Sequence, residues 1–341
     1  MKHVSIVSPC YNEEENVEEL YVRVVAAMDR CPQYTFDLLF IDNASKDGTV
    51  KVLRRLAAND PRVRVIVNAR NFGHIRSPVY GLLQGEGDAV ISIASDLQDP
   101  PELLPEFLAK WEAGYKVVMG VKSKSEESLL FYGLRSLYYK ALRRLSEIEL
   151  VEHFTGFGLY DRKVMDVLRA ISDPYPYFRG LIADIGFESA KIEFLQPSRK
   201  RGITKNNFYT LFDMAMLGFT NHSKVPLRLA TFVGFASGGM SFLAGLFYFV
   251  YKLLNWDSFS LGLAPVVVGM FLFASLQLVF LGVVGEYVGA IHTQVLKRPL
   301  VVEQERINFD SAGVRGLREV AARSDDPSGR TRLDLSLPGG G

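Results

Sequence analysis

Short apolar segments alternate with amphipathic ones over the first 194 residues of the chain. The apolar segments are rich in Val and Ile, which is typical of strands buried on both faces of a parallel sheet. The pattern predicts strands at residues 3–8, 36–41, 63–68, 89–94 and 116–120, and helices at residues 14–28, 48–58, 75–85, 102–113 and 127–145. This alternation predicts a doubly wound α/β fold with a Rossmann-like, mostly parallel sheet.

Two much longer apolar stretches follow, at residues 229–251 and 258–285, and neither contains a charged residue. Because a helix of about 20 apolar residues crosses the hydrocarbon core of a bilayer, we predict two transmembrane helices, at about residues 229–251 and 263–287. A pair of buried core helices is the alternative. It is disfavoured because both stretches exceed the usual length of helices in soluble proteins.

Cations flank this pair of helices, whereas the connector at residues 255–257 has none. Lys224 and Arg228 precede the first stretch, and Lys297 and Arg298 follow the second. Since positively charged flanks stay on the cytoplasmic side, we expect a multi-pass protein of the cell (inner) membrane with both termini in the cytoplasm. No signal-peptide pattern precedes the first strand, which agrees with a cytoplasmic N-terminal domain.

These features divide the chain into four parts. Residues 1–205 form the α/β domain, and residues 206–223 form an amphipathic helix in the membrane interface. Residues 224–292 hold the two transmembrane helices, and residues 293–341 form a cytoplasmic tail with a disordered end. An ordinary domain helix is the alternative for residues 206–223.

Composition narrows the classes of partner. Lys and Arg together number 39 and Asp and Glu number 38, so the chain lacks the basic excess typical of nucleic-acid-binding domains. We therefore expect no nucleic-acid partner. The two cysteines, Cys10 and Cys31, cannot form a disulfide framework and lack the spacing of a metal site, which fits a reducing, cytosolic setting.

Chemistry-bearing residues follow the first three predicted strands. In open α/β sheets, ligands bind beyond the carboxyl ends of the strands. After the first strand, Tyr11 is placed to stack on a base, and Glu13 to accept from its imide or from a ribose hydroxyl; an acidic first helical turn is the alternative reading of this segment. After the second, Asp42 is placed to accept an imide N–H. In the same segment, Ser45 and Asp47 are typical turn and cap formers. After the third strand, Arg70 is placed to face a phosphate.

The fourth strand leads into Asp-Leu-Gln-Asp-Pro-Pro-Glu at residues 96–102. Asp96 and Gln98 are two residues apart, so in an extended chain they face the same way. Hard oxygen ligands of this kind suit Mg²⁺ or Mn²⁺, and a diphosphate would complete the coordination shell. The sequence therefore predicts a metal-assisted site for a departing diphosphate.

These motifs resemble those of the polyprenyl-phosphate glycosyltransferases of glycosyltransferase family 2. The resemblance rests on Pro-Cys-Tyr-Asn-Glu-Glu at residues 9–14, on Asp42 with Asp-Gly-Thr at residues 47–49, on residues 96–102 and on the paired apolar stretches. It covers residues 3–305 and is strongest to the two-span bactoprenol glucosyltransferases, which are related to dolichyl-phosphate mannose synthases. It implies a GT-A fold and a homotetramer.

The resemblance also implies roles for individual residues. Pro9, Tyr11, Glu13 and Asp42 would hold the nucleoside, and Asp96 and Gln98 would sit at the metal. Many members of the family carry an acidic residue two positions before that aspartate, where this chain has Ala94. Cations near the membrane would hold the phosphates; the candidates are Arg135, Arg199 and Lys205.

The implied reaction moves a hexose, with glucose from UDP-glucose as the first choice, onto polyprenyl (undecaprenyl) phosphate. A lipid phosphate is already anionic at neutral pH, so no general base is expected, and a single displacement with inversion follows. GDP-mannose is the alternative donor, and galactose and an aminoarabinose derivative stay open as sugars.

Two other classes of protein share some of these features. A processive polysaccharide synthase would carry a Gln-x-x-Arg-Trp motif, and neither Trp111 nor Trp256 lies in one. A non-catalytic membrane scaffold would not need Glu13, Asp42 and Asp96, although the alanine at residue 94 keeps that hypothesis open.

Overall fold

The structure is a computed structural model, and it describes residues 1–123, 151, 153–197, 225–254 and 263–309. The predicted helices at residues 127–145 and 206–223 lie outside the described residues. The same holds for three predicted site residues, which are Arg135, Arg199 and Lys205.

Strands and helices alternate in the first part of the chain, as the apolar pattern predicts. The strands are β1 (Lys2–Cys10), β2 (Tyr34–Asp42), β3 (Val63–Asn68), β4 (Ala89–Ser92), β5 (Val117–Lys122), β6 (Phe154–Asp161), β7 (Ser189–Phe194) and β8 (Glu303–Ile307). The helices are α1 (Val17–Met28), α2 (Thr49–Asn59), α3 (Gly73–Leu83), α4 (Leu104–Glu112), α5 (Arg162–Ala170), α6 (Phe178–Ile185), α7 (Val225–Leu254) and α8 (Leu263–Val295). One turn of 3₁₀ helix, Pro101–Leu103, precedes α4.

The strands form one eight-stranded sheet in the order β7-β5-β6-β4-β1-β2-β3-β8. β1 to β4 run parallel to one another, and β7 is parallel to β5. β6 is antiparallel to both of its neighbours, and β8 is antiparallel to β3. The prediction of a mostly parallel sheet is therefore confirmed, and two strands that the apolar pattern did not predict run in the opposite direction.

Helices cover both faces of the sheet, as expected for a doubly wound fold. Successive residues of a strand point to opposite faces, so Leu38 and Phe40 of β2 pack against one set of helices while Leu39 and Ile41 pack against the other. The first face is covered by α1, α2 and α4, and the second by α3, α5 and α6. This burial of aliphatic side chains on both faces is the main stabilising contribution to the domain.

The segment after α8 returns to the domain and adds an edge strand. The predicted tail at residues 293–341 therefore includes an ordered strand, β8, which pairs with β3 from Val65 to Asn68. Side chains reinforce this pairing. Tyr80 donates to Glu303 at 2.8 Å, and Arg54 forms a two-pronged pair with Glu305.

The two long helices form an antiparallel hairpin. Tyr287 of α8 lies against the backbone of Leu227 near the start of α7. Phe280, which is earlier in α8, lies beside Gly234, which is later in α7, so the two helices run in opposite directions. Each helix holds a stretch long and apolar enough to cross a membrane, Leu227–Phe247 and Leu272–Val295, and neither stretch is buried in the structure. The exposure argues against the core-helix alternative, because a core helix buries most of its side chains.

Candidate active site

The loops that follow β1 to β4 meet at one edge of the sheet. Cys10 and Asp42, the last residues of β1 and β2, are register partners, and β3 and β4 run parallel beside them. Ser95 links the β4 loop to β1, because its hydroxyl donates to the carbonyl of Pro9 at 2.7 Å. The predicted site residues that the structure describes lie in the last residues of these strands or in the loops that follow them, and they are Pro9, Tyr11, Glu13, Asp42, Arg70, Asp96 and Gln98.

Hydrogen bonds between side chains and backbone hold the β1 and β2 loops together. Asn12 donates its N–H to Ser45 at 2.9 Å, and its side chain accepts from the N–H of Lys46 at 2.8 Å. Asn12 has a φ of 58°, in the left-handed region that asparagine tolerates better than most residues. These bonds set the position of Tyr11, whose side chain is partly exposed at the edge of the sheet.

Glu13 is partly exposed and is oriented by its own helix start. Its carboxylate accepts from the side-chain amide of Asn16 at 2.6 Å, and its N–H donates to Thr49 at 2.9 Å. The predicted helix at residues 14–28 begins only at Val17, because residues 13–16 form this hydrogen-bonded turn instead. The turn leaves Glu13 beside Tyr11 in the chain, with both accessible at the loop surface.

Asp42 is fully buried and is satisfied within its own loop. Its two carboxylate oxygens accept from the N–H and the hydroxyl of Ser45, at 2.9 and 2.5 Å. Burial raises the pKa of Asp42 above its ordinary value. Ser45 acts as the predicted turn former, and Asp47 does as well, because it accepts from the N–H of Thr49 at 3.0 Å. Because the Asp42 carboxylate is buried and bonded to Ser45, contact with a base would require Ser45 to move, and the role of Asp42 in binding the base stays a prediction.

Three asparagines, which the sequence reasoning did not single out, join the β2 and β3 loops. Asn43 donates to Asn71 at 3.0 Å and accepts from the N–H of Phe72 at 2.9 Å. Asn68 donates to Asn43 at 3.2 Å and to Ser77 at 3.0 Å. Asparagine directly after a buried strand was the available signal, since its amide can satisfy loop N–H and C=O groups at once.

Arg70 is exposed, and its guanidinium lies 4.0 Å from the centroid of the Phe72 ring. It donates to the carbonyl of Asn71 at 3.0 Å. β3 lies three strand spacings from β4, or roughly 14 Å at the usual spacing between strands. Arg70 therefore starts well away from Asp96, and a contact between Arg70 and the donor phosphate stays a prediction.

The β4 loop turns sharply at Leu97, so the extended chain expected between Asp96 and Gln98 is not observed. Leu97 has a φ of 60° and is buried, and the N–H of Gln98 donates to Asp96 at 3.2 Å. The turn still leaves Asp96 and Gln98 partly exposed, while Asp99 is buried behind them. Asp96 and Gln98 are therefore both accessible, but not through the extended chain that their spacing suggested, and their role at a metal stays a prediction.

The donor atoms at this loop fit a hard divalent cation that shares its shell with a ligand. Asp96 offers a carboxylate and Gln98 an amide oxygen, the types that Mg²⁺ and Mn²⁺ prefer. Asp99 faces inward, where its carboxylate accepts from the N–H of Ala94 at 3.0 Å and where burial raises its pKa to about 6. Across the described part of the chain, no group of three His, Cys, Asp or Glu side chains could hold a metal. A cation at Asp96 and Gln98 would therefore have to share its coordination shell with oxygens of a diphosphate or of water.

A cavity of about 320 Å³ opens between α3, the end of β4 and the start of α6. Its lining is mainly apolar, with His74 and Arg179 at its polar part. Burial lowers the pKa of His74 below its ordinary value. The adjoining loop touches the end of α8, where Gln294 donates to Asp173 at 2.8 Å. The cavity thus opens beside the end of β4, next to a loop that contacts α8.

Comparison with known proteins identifies the family of the chain. The model of glycosyl transferase family 2 matches residues 5–169. The uncharacterised glycosyltransferase YkcC of Bacillus subtilis is 35% identical over 308 residues, which is 90% of this chain and 95% of that protein. The SfII prophage-derived bactoprenol glucosyl transferase of Shigella flexneri is 31% identical over 297 residues, covering 87% of this chain and 96% of that protein.

Among solved structures, a mannosyltransferase of Pyrobaculum calidifontis in complex with GDP-Man and Mn²⁺ is 16% identical, with a TM-score of 0.43 and 86% of each chain covered. The sequence relatives decide the assignment, because they match nearly the whole chain. The chain therefore belongs to glycosyl transferase family 2, together with the bactoprenol glucosyl transferases, and is a glycosyltransferase with the GT-A fold.

Proposed function

We propose that this protein transfers a hexose from a nucleotide sugar to polyprenyl phosphate at the cytoplasmic face of a membrane, with UDP-glucose as the favoured donor. One observation carries the proposal. The β1 and β2 loops are joined through Asn12 and Ser45, and Ser95 ties the β4 loop that carries Asp96 and Gln98 to β1, in a chain that is 31% identical, over 87% of its length, to a bactoprenol glucosyl transferase.

The donor nucleoside would bind over the β1 and β2 loops. Tyr11 stacks on the base, and Glu13 accepts from a ribose hydroxyl or from the imide, with Pro9 shaping the floor. Asp42 positions this floor through Ser45 and joins the contact with the base if its loop opens. Because hydrogen bonds already hold both loops, little ordering is required when the donor binds.

Asp96 and Gln98 would hold Mg²⁺ or Mn²⁺ together with the diphosphate of the donor. The cation supplies neutralisation of the charge that develops on the departing diphosphate. Both side chains flank the turn at Leu97 and are partly exposed, which supports this role. Asp99 supports the turn from behind through the N–H of Ala94.

The acceptor phosphate attacks the anomeric carbon directly, because it is already anionic. One of its oxygens forms the new bond to carbon as the bond to the nucleoside diphosphate breaks, so the configuration inverts. Arg135, Arg199 and Lys205 are the proposed cations for the acceptor and donor phosphates. Their task is to position the anions and offset their mutual repulsion.

The hairpin of α7 and α8 would anchor the enzyme in the bilayer with both ends on the cytoplasmic side. The antiparallel pairing of Tyr287 with Leu227 and of Phe280 with Gly234 supports this arrangement for residues 229–251 and 263–287. Labelling from each side of sealed vesicles tests this topology, since both native cysteines are buried. In Ser258→Cys, the introduced cysteine should react only with a label applied to the side that faces out of the cell. In Lys191→Cys, it should react only with a label applied to the cytoplasmic side. We further propose a homotetramer, which the mass of the purified protein checks.

A donor screen tests the activity. The full-length protein is mixed with polyprenyl phosphate, Mg²⁺ and labelled UDP-glucose, UDP-galactose, GDP-mannose or a UDP-aminoarabinose derivative. Lipid-linked product is expected from UDP-glucose, and a larger yield from GDP-mannose would favour the alternative donor. Asp96→Ala should lower turnover by about 100-fold or more, the loss typical of a group that stabilises developing charge. Lys191→Ala, an exposed change on β7, is the control. No product with any donor would favour the scaffold hypothesis.

A further inference from the structure

Three arginines meet beside the end of the second long helix. Arg70 and Arg76 come from the β3–α3 region, and Arg298 follows α8. With Phe72, Pro299 and Val302 they line a cavity of about 320 Å³. Its lining includes these three cations and no acidic residue. The cluster is distant from β4 in the sheet, so it is separate from the proposed metal position.

Arg76 is held in place by the chain that returns from α8. One of its terminal nitrogens donates to the carbonyl of Pro299, and its Nε is buried without a hydrogen-bond partner among the described residues. Burial, together with the charges of Arg70 and Arg298, lowers the pKa of Arg76. An unpaired buried donor beside two further positive charges is unfavourable, and a bound anion would offset both effects.

Arg70 and Arg298 complete a cluster of uncompensated charge. Arg70 and Arg76 both lie over the ring of Phe72, at 4.0 and 5.4 Å from its centroid, and Arg298 is exposed. Within the described ranges, none of the three forms an ion pair with a carboxylate. By contrast, Arg55 pairs with Glu18 at 2.7 Å. Several guanidinium groups around one cavity suit a tetrahedral oxyanion, because each can offer parallel N–H donors to phosphate.

The position of the cluster points to a lipid as the source of that phosphate. Exposed apolar side chains continue along α8 to Val295 and Leu296, which are 71% and 42% exposed, and the next residues are Lys297 and Arg298. A change from exposed apolar to exposed cationic residues marks the boundary between hydrocarbon and headgroups. Val302 in the cavity lining is also 52% exposed, so an acyl chain has an apolar surface beside the site.

We propose that Arg70, Arg76 and Arg298 bind the phosphate of an anionic phospholipid headgroup, and that this lipid joins the β3–α3 loop to the segment after α8. The inference rests on the proposed function in one respect, since it requires α7 and α8 to lie in a bilayer. Bound lipid would fix the catalytic domain against the membrane surface, at a point separate from the donor. It assigns Arg70 to the lipid rather than to the donor phosphate.

Competitive lipid binding tests the proposal on the full-length protein. The protein is delipidated in neutral detergent and offered equal amounts of phosphatidylglycerol and phosphatidylcholine with matched acyl chains. Native mass spectrometry then counts the retained lipids. Wild type should retain phosphatidylglycerol in preference, and Arg298→Gln or Arg76→Gln should each lower that preference by about tenfold, the loss typical of a charge-assisted hydrogen bond. Arg55→Gln, which removes the same charge elsewhere, should leave it unchanged.

Several results would overturn the assignment. Equal retention of the two lipids by wild type would do so, as would equal losses of lipid preference in Arg298→Gln and Arg55→Gln. Because Arg298 is exposed, a loss of lipid preference in Arg298→Gln cannot be ascribed to misfolding. Displacement of the lipid by millimolar inorganic phosphate would identify a free-phosphate site instead. Preferential retention of undecaprenyl phosphate, lost in the same variants, would make this an acceptor site.

The binding measurement is independent of catalysis, because neither donor nor Mg²⁺ is present. If the protein retains phosphatidylglycerol through these arginines but transfers no sugar, the lipid site is supported and the proposed function is contradicted. If the protein transfers sugar but shows no lipid preference, the proposed function is supported and the lipid site is contradicted.

Discussion

Asp42 shows how a residue of the candidate site can act through its neighbours. Both of its carboxylate oxygens accept from Ser45, and its side chain is shielded from solvent. The sequence pattern placed it correctly at the end of β2 but could not show that the carboxylate is already satisfied. Its first measurable contribution is therefore to the stability of the loop under the proposed nucleoside site.

We predict that Asp42→Asn destabilises the α/β domain by roughly 1–3 kcal/mol. The variant replaces one of the two accepting oxygens with an N–H₂ group, so one donor of Ser45 loses its acceptor. Urea unfolding in detergent measures this, followed by the fluorescence of buried Trp111 in a Trp256→Phe background. Asp166→Asn, on the exposed side of α5, is the matched control. Equal midpoints for the two variants would show that the Asp42–Ser45 bonds contribute nothing.

His3 gives the amino-terminal end of the sheet a dependence on pH. Its Nε2 lies 2.8 Å from buried Asp37, and this hydrogen bond raises the pKa of His3 above 6.5. The stabilisation is therefore fully present below pH 6.5 and is lost as the pH rises through the raised pKa. The effect should be small, because the side chain of His3 is 40% exposed and solvent screens the charge.

Melting temperatures of wild type and His3→Gln between pH 5.5 and 8.5 check this expectation. The difference between the two proteins should be largest at the acidic end and should shrink as the pH rises. His292→Gln, on α8, controls for the loss of an imidazole elsewhere. A difference that stays constant across this range would mean that protonated His3 does not stabilise the fold.

At the scale of elements, β8 pairs with β3 and so covers backbone groups of β3 that would otherwise be exposed. Asn308 secures the end of this strand, because its side chain donates to the carbonyls of Ala57 and Val63 at 2.7 and 2.9 Å. Asn308 also has a φ of 59°. One residue thus combines two hydrogen bonds with a left-handed backbone.

We predict that Asn308→Ala increases amide hydrogen exchange in β3, because it loses both hydrogen bonds and places alanine in the left-handed region. Asn308→Gly should increase exchange less, since glycine adopts that conformation without strain. Hydrogen exchange read by mass spectrometry on peptides spanning residues 63–68 distinguishes the two contributions. Exchange equal to wild type in both variants would show that Asn308 does not hold β8 in place.

At the scale of the whole molecule, the proposed membrane anchor depends on the exposed apolar surface of α7 and α8. Met240, near the middle of the first apolar stretch, is 66% exposed. An arginine near the centre of a membrane-spanning helix costs about 2.5–3.5 kcal/mol on insertion scales. We therefore predict that Met240→Arg lowers the fraction of protein that resists alkaline extraction from membranes, whereas Met240→Leu does not.

Val22→Arg is the matched control for this prediction. Val22 on α1 is 57% exposed, and there an arginine would meet water rather than lipid. Extraction equal to wild type is expected for this variant. If Met240→Arg also behaved as wild type, the two long helices would have to bury their apolar surface in some other way.

The sequence alone determined the features that depend on local patterns. Short runs of Val and Ile predicted β1 to β4, because runs of this length and composition favour buried strands. The motif residues at the ends of those strands lie at one edge because parallel strands share a carboxyl end. The two apolar stretches became long exposed helices for the same reason of composition. The motif placed Asp96 and Gln98 in the loop after β4, where both are partly exposed, but it did not predict the turn at Leu97 between them.

Only the tertiary structure decided features that join distant residues. Glu303–Ile307 is too polar to predict a strand, and it becomes β8 because the edge of β3 supplies the missing backbone partners. Asn43 and Asn68 matter because their loops lie side by side. Arg76 and Arg298 are 222 positions apart in the chain, and they share a cavity because the chain returns from α8 to the sheet. No local pattern contains such pairs, since packing rather than spacing brings them together.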